Sequence, residues 1–146
     1  MTARGPILTL SDAPDGAAEA LIDDGLARFN DAAAGYGDRR PLSVLVHDPE
    51  SREAVGGLVG RTSLGLLFID LVYLPDSLRG AGVGTRMMTM AEDEAKRRGC
   101  VAALLYTISF QAPDFYAGLG FRELGRVACL PPGTSRVIMT KRFDGT

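Results

Sequence analysis

The chain predicts an α+β fold built on a mixed, twisted and mostly antiparallel sheet of six to seven strands, flanked by about four helices. Three observations carry this. Short apolar runs separated by turn residues fill much of the first half, as consecutive antiparallel strands would. The second half alternates strand, helix, strand, helix and strand, an order that requires one parallel crossover. A length of 146 residues suits one hydrophobic core, so a single domain spanning residues 1–146 is expected.

Each element has a local reason. Residues 7–10 form a short apolar run that reads as a first strand. Residues 15–34 are rich in Ala, with Leu21, Ile22, Leu26 and Phe29 recurring at helical spacing, which gives one helix, or two broken at Gly25. Residues 42–46 stop at the turn-rich segment His47-Asp48-Pro49-Glu50-Ser51, which joins them to residues 54–59 as a hairpin. Residues 64–74 form a long strand closed by Pro75, which cannot donate to a ladder. In residues 82–98, Val83, Met87, Ala91 and Ala95 keep an i, i+4 rhythm, and Gly99 supplies the left-handed stop. The charges from Glu92 to Arg98 read as a solvated face. Residues 101–106 then form a buried strand, 113–118 a short helix, and 121–130 and 137–142 two closing strands. The apolar last strand offers pairing to a second copy, hence a homodimer.

Composition excludes several functions. Lys and Arg number 16 against 18 Asp and Glu, so the chain lacks the basic excess that phosphate-backbone binding needs, and no nucleic-acid partner is expected. A lone histidine, His47, and two cysteines, Cys100 and Cys129, without CxxC spacing, predict no metal site. No stretch approaches the ~20 apolar residues of a bilayer span, and the N-terminus lacks an apolar leader, so no membrane association and a cytoplasmic location are expected.

The segment from Leu71 to Thr85 runs from a strand through a glycine-rich turn directly into a helix. Unpaired N–H groups converge there at the positive end of the helix dipole, so an anion fits. Gly80, Gly82 and Gly84 keep side chains out of the way, and Arg79 adds charge. The dinucleotide fingerprint fails at Thr85 and a P-loop Gly-Lys pair is absent. A plain tight turn explains the glycine spacing about equally well.

A second segment, from Thr107 to Phe121, changes that balance. Together the two resemble the Gcn5-related N-acetyltransferase superfamily, which moves acetyl from acetyl-coenzyme A to an amine. Arg79, Gly82 and Gly84 match its pyrophosphate signature (Gln/Arg)-x-x-Gly-x-(Gly/Ala), and Tyr116, Gly120 and Phe121 match its Tyr-x-x-x-Gly-Phe element. The phrase Ser-Phe-Gln-Ala-Pro-x-Phe-Tyr is similar to that of a subgroup of small bacterial members. The resemblance implies that Gly80, Ala81, Gly82, Val83, Gly84 and Thr85 present amides to the pyrophosphate of the acetyl-coenzyme A donor. It also implies that Val72, Tyr73 and Leu74 offer main-chain groups to the pantetheine arm and the acetyl carbonyl. Ser109 stands where many relatives have an asparagine that contacts the coenzyme, and a serine reaches less far.

The implied reaction is direct transfer to a primary amine of a small molecule or peptide. Tyr116 is then the general acid for the departing thiolate, since a phenol of pKa ~10 is protonated at neutral pH. Its alternative is a purely packing role. The ammonium of the acceptor must lose a proton before attack. Asp70, which interrupts the apolar run of residues 66–71, is the leading base, read as a buried carboxylate with a raised pKa. A sheet-face aspartate that is solvated or paired with an arginine fits Asp70 equally, and a water chain could replace it. The competing class is a catalytically silent acyl-coenzyme A-binding module of the same fold.

Overall fold

A computed structural model describes residues 4–145. Contacts divide the chain into two units, between Gly37 and Asp38.

The first unit is built on one helix, α1 (Gly16–Ala34). Asp15 caps its start by accepting from the Ala18 N–H at 3.0 Å, and Gly35 ends it in the left-handed region. Gly25 does not break it, because one glycine costs about 1 kcal/mol against a helix of 19 residues. Residues 7–10 form no strand, because no ladder partner takes up their backbone groups.

The second unit is a six-stranded sheet with two helices. Its strands are β1 (Arg40–His47), β2 (Ala54–Ser63), β3 (Leu66–Tyr73), β4 (Ala102–Ile108), β5 (Arg122–Ala128) and β6 (Ser135–Arg142). Between them lie α2 (Val83–Arg97) and the short α3 (Pro113–Gly118). The order across the sheet is β1-β2-β3-β4-β6-β5, with β3 and β4 parallel and the other neighbours antiparallel. The expected crossover is thus β3-α2-β4. The final strand is enclosed between β4 and β5, so it has no free edge for a second copy. Its apolar residues Val137 and Met139 serve the core instead.

That core lies against one face. Met87, Met88, Ala91 and Ala95 of α2 meet Leu42 and Val44 of β1, Leu58 of β2, Leu67 and Ile69 of β3, Ala103 and Leu105 of β4, and β6. The reading of α2's charges as a solvated stripe fails at two places. Glu92 is 7% exposed and holds Lys141 of β6 at 2.7 Å. Arg98, 13% exposed, is held by Glu94 and donates to the Arg40 and Pro41 carbonyls and to Thr62 Oγ1. A charge enters the interior when its partner comes with it, and sequence spacing does not display that partner.

β3 is irregular where it matters. Val59 pairs with Leu71 and Gly60 with Ile69, so Asp70 is an extra residue, a β-bulge. Gly60 is required opposite it, since a Cβ there would collide with the Phe68 carbonyl.

Candidate active site

β3 and β4 pair only from Leu66↔Ala102 to Phe68↔Leu104. Past those residues, with the bulge at Asp70, the strands separate and leave the β4-facing backbone groups of β3 without a strand partner. The gap holds a cavity of about 250 Å³, lined by residues 69–72 and 105–108, Gln111, Tyr116 and Arg136. The alternation of buried residues sorts this lining. Ile69, Leu105 and Val137 face the core, so Asp70, Tyr106 and Arg136 stand on the opposite face of the sheet. Tyr116 belongs to the core side.

Tyr116 is 7% exposed, with Phe115 and Phe121 edge-on at 5.2 and 5.9 Å. Burial pushes its phenol above the usual tyrosine range, which keeps the proton in place. Its ring packs in the core while it also lines the cavity, so the packing and acid readings coexist.

Asp70 departs from the sequence reading. Its side chain is 45% exposed rather than buried, and both its oxygens accept from Arg61 Nη1, at 2.6 and 2.9 Å. The bulge is the cause: it turns Asp70 and Leu71 outward together, and Arg61, whose guanidinium lies 4.4 Å from the centre of the Phe68 ring, waits on β2. The sheet-face aspartate paired with an arginine is what the structure contains.

At the end of β3 the chain passes through Pro75 and a single 3-10 turn (Asp76–Leu78) into the glycine segment. Gly80 and Gly82 have φ of 82° and 80°, a region closed to most side chains, and Gly82 caps α2. The first intrahelical donor bonding back to Gly82 is the Arg86 N–H, so the amides of Val83, Gly84 and Thr85 are open to an anion. Two residues have other duties than those expected. A Cβ on Gly84 would lie 3.1 Å from Phe115 Cζ, so this glycine lets α3 pack against α2 rather than admitting an anion. Arg79 folds back, its Nε donating to the Leu74 carbonyl at 3.1 Å and its Nη1 pairing with Asp76 at 2.9 Å. Its charge is shared, and of Leu74's main-chain groups the carbonyl is already bonded.

Ser109 Oγ accepts from the Ser135 N–H at 2.9 Å, while the Ser109 N–H donates to the Ser135 carbonyl, so Ser109 ties β4's end to β6. Gln111 and Arg136 were not singled out by sequence reasoning. Gln111 Oε1 accepts from Thr107 Oγ1 and the Ile108 N–H, closing the end of β4. The spacing Thr-x-x-x-Gln is too common to have signalled this, and a lone arginine in a closing strand gives no signal at all. A second cavity of about 310 Å³ lies between β1 and the end of α2, where Glu94 binds both Arg97 and Arg98. His47 Nδ1 lies 3.1 Å from the Arg52 carbonyl within its hairpin turn. Among the described residues no group of three His, Cys, Asp or Glu side chains could hold a metal ion, and no helix is long and apolar enough to cross a membrane.

An open parallel pair with an amide-lined turn at its end suits a long chain with an anionic head. The Acetyltransferase (GNAT) family model matches residues 12–121, well over half of the chain. The chain belongs to this family. Among curated proteins it is 37% identical over 134 residues to an acetyltransferase of Agrobacterium fabrum, covering 92% of this chain and 97% of that one. It is 36% identical over 109 residues to the blasticidin-S acetyltransferase of Streptomyces morookaense, covering 73% and 80%. A solved structure from Agrobacterium tumefaciens superposes with a TM-score of 0.86 at 36% identity, covering 94% of this chain and all of that one. The protein is a GNAT-type N-acetyltransferase, and its fold is that of the family, with three helices among the described residues where about four were expected.

Proposed function

We propose that this GNAT protein transfers acetyl from acetyl-coenzyme A to a primary amine of a small molecule or peptide, by direct attack within the gap between β3 and β4. The observation that carries the reading is the cavity itself, which has the protonated Tyr116 phenol on its core side and Asp70 on the other face. The residues present fit the donor. The free edge of β3 from Val72 to Tyr73, with the N–H of Leu74, can pair with the amides of a pantetheine arm as with another strand. The turn from Gly80 to Thr85 offers its amides to a pyrophosphate, and Arg79 stiffens that turn.

Acetyl-coenzyme A supplies the activated acyl group. Within the protein, Tyr116 donates its proton to the departing thiolate, and the main-chain N–H groups near Tyr73 and Leu74 receive the developing oxyanion. Asp70 accepts the amine proton directly or through water, with Arg61 fixing its carboxylate. Ser109 contributes through the position it gives to the end of β4. The family match over residues 12–121 spans the division at Gly37, which supports reading residues 1–146 as a single working domain. The name of the blasticidin-S relative supports a small-molecule acceptor. Two measurements test the proposal: calorimetric binding of coenzyme A, and thiol release from acetyl-coenzyme A with a panel of amines. Binding with turnover is expected. Binding with no turnover on any amine would mean a silent acyl-coenzyme A module instead, and absence of binding would remove both.

A further inference from the structure

We propose that Arg136 receives a carboxylate on the acetyl acceptor, so that this protein acts on amino carboxylates, molecules that carry an amine and a carboxylate together. The inference rests on the acetyl-transfer reading of the same cleft.

Three charged side chains stand on the sheet face opposite α2: Arg61, Asp70 and Arg136. The first two neutralise each other through the contacts at 2.6 and 2.9 Å. Arg136 is different. It lines the cavity with Asp70, yet no carboxylate among the described residues pairs with it. Its backbone is nevertheless fixed, because β6 is an inner strand and Arg136 sits opposite Ile108 on one side and Val127 on the other. An exposed guanidinium carried on a fixed backbone at the rim of the cavity, and left without a counter-ion, is suited to bidentate capture of a planar oxyanion.

The donor does not account for it. The amide-lined turn that suits a pyrophosphate opens α2, and α2 covers the other face of the sheet. The charge balance also argues against a purely cationic acceptor. Of the charged residues that line the cavity, Asp70 is already paired with Arg61 and Arg136 is a cation, so a simple ammonium finds its carboxylate neutralised. An amino carboxylate brings its own anion to Arg136 and leaves its amine toward Asp70 and the gap. Both side chains line the same cavity of about 250 Å³, the scale of one small acceptor.

The test compares acceptors that differ in this group alone: the common amino acids, β-alanine and 4-aminobutyrate, each against its carboxamide, with simple alkylamines alongside. The wild type should favour acids over amides by about tenfold or more in kcat/KM, the effect of one charge-assisted pair. In Arg136→Gln the acid-to-amide ratio should collapse toward one, and Arg136→Lys should restore part of it. Amidation makes the amine less basic and more of it free at neutral pH, so chemistry without recognition would favour the amides. The proposal is overturned if the wild type acetylates amides or alkylamines as well as it does acids, or if Arg136→Gln slows both series equally. A raised KM for acetyl-coenzyme A in that variant overturns it too, since Arg136 would then serve the donor. Those outcomes leave the transfer reading standing. The failure of every amine to release thiol, or the absence of coenzyme A binding, would sink that reading, and this inference with it.

Discussion

At the scale of single residues, the proposed transfer divides its acid and base between Tyr116 and Asp70 by their environments. Burial holds the Tyr116 proton more tightly, so any loss of rate from its ionisation moves to higher pH, beyond the ordinary tyrosine value near ~10. Below that the rate should only rise with pH, as the acceptor amine loses its proton. Tyr116→Phe keeps the ring and its contacts with Phe115 and Phe121. We expect kcat to fall by roughly 10²–10⁴ with little change in the KM for acetyl-coenzyme A, and donors with more acidic thiols to lose less. Wild-type turnover by this variant would reassign the proton to water. Asp70→Asn keeps a partner for Arg61 but cannot take a proton. If Asp70 is the base, kcat/KM near neutrality should drop by ~10²–10⁴, and a loss below about threefold would place proton removal on a water chain. The sequence holds a buried base and a solvated or arginine-paired sheet-face aspartate as equal readings of Asp70; the choice between them, and the identity of Arg61, follow from one extra residue in the ladder at the bulge. An apolar run containing an aspartate looks the same with or without it.

At the scale of elements, the best-read part was the β3-turn-α2 unit. Its strand end, glycine turn and helix start all follow from local rules that the residues themselves state: Pro75 stops a ladder, left-handed positions demand glycine, and Val83, Met87, Ala91 and Ala95 share one face. The unexpected duties of Arg79 and Gly84 depend instead on what lies across space, a carbonyl of β3 and a ring of α3. The anion role of the turn can be tested without confusing charge with strain. Gly82→Asp and Gly82→Asn share the same left-handed strain, a cost of about 1–2 kcal/mol, but only the first brings a negative charge to the amides of α2. Calorimetry should show coenzyme A binding lost in Gly82→Asp and retained, if weakened, in Gly82→Asn. Equal affinities in the two would put the pyrophosphate elsewhere.

For the whole molecule, the order of elements was legible because alternating and helical periodicities survive without knowledge of neighbours. Strand position was not. The last strand is apolar because it lies between β4 and β5 over the core, whereas an edge strand with a sticky face would read the same in sequence. The run at residues 7–10 failed for the converse reason, since it has the composition of a strand but no ladder to join. The strand-turn-helix at one end of the cleft was legible, because Pro75 and the glycines state it locally. The lining on the face opposite α2 was not, since Asp70, Tyr106 and Arg136 come from three strands and share one cavity only once the register is known.

The close approach of Phe115 to Gly84 links the two ends of the proposed donor site mechanically. The ring that fills the space above Gly84 also braces Tyr116, so the first turn of α2 and the proposed acid share a single spacer. Adding one methyl group, Gly84→Ala, would set a Cβ 3.1 Å from that ring and force it to yield by a few tenths of an ångström. Because the new methyl points toward α3 and away from the anion, coenzyme A should bind nearly as well as before. The displacement should surface instead in the chemistry, with kcat reduced about tenfold as the phenol loses its aim, the sensitivity expected of a near-attack geometry. Parallel calorimetry and steady-state kinetics on this variant check it: a loss of affinity with kcat preserved would show that the spacer serves the turn alone.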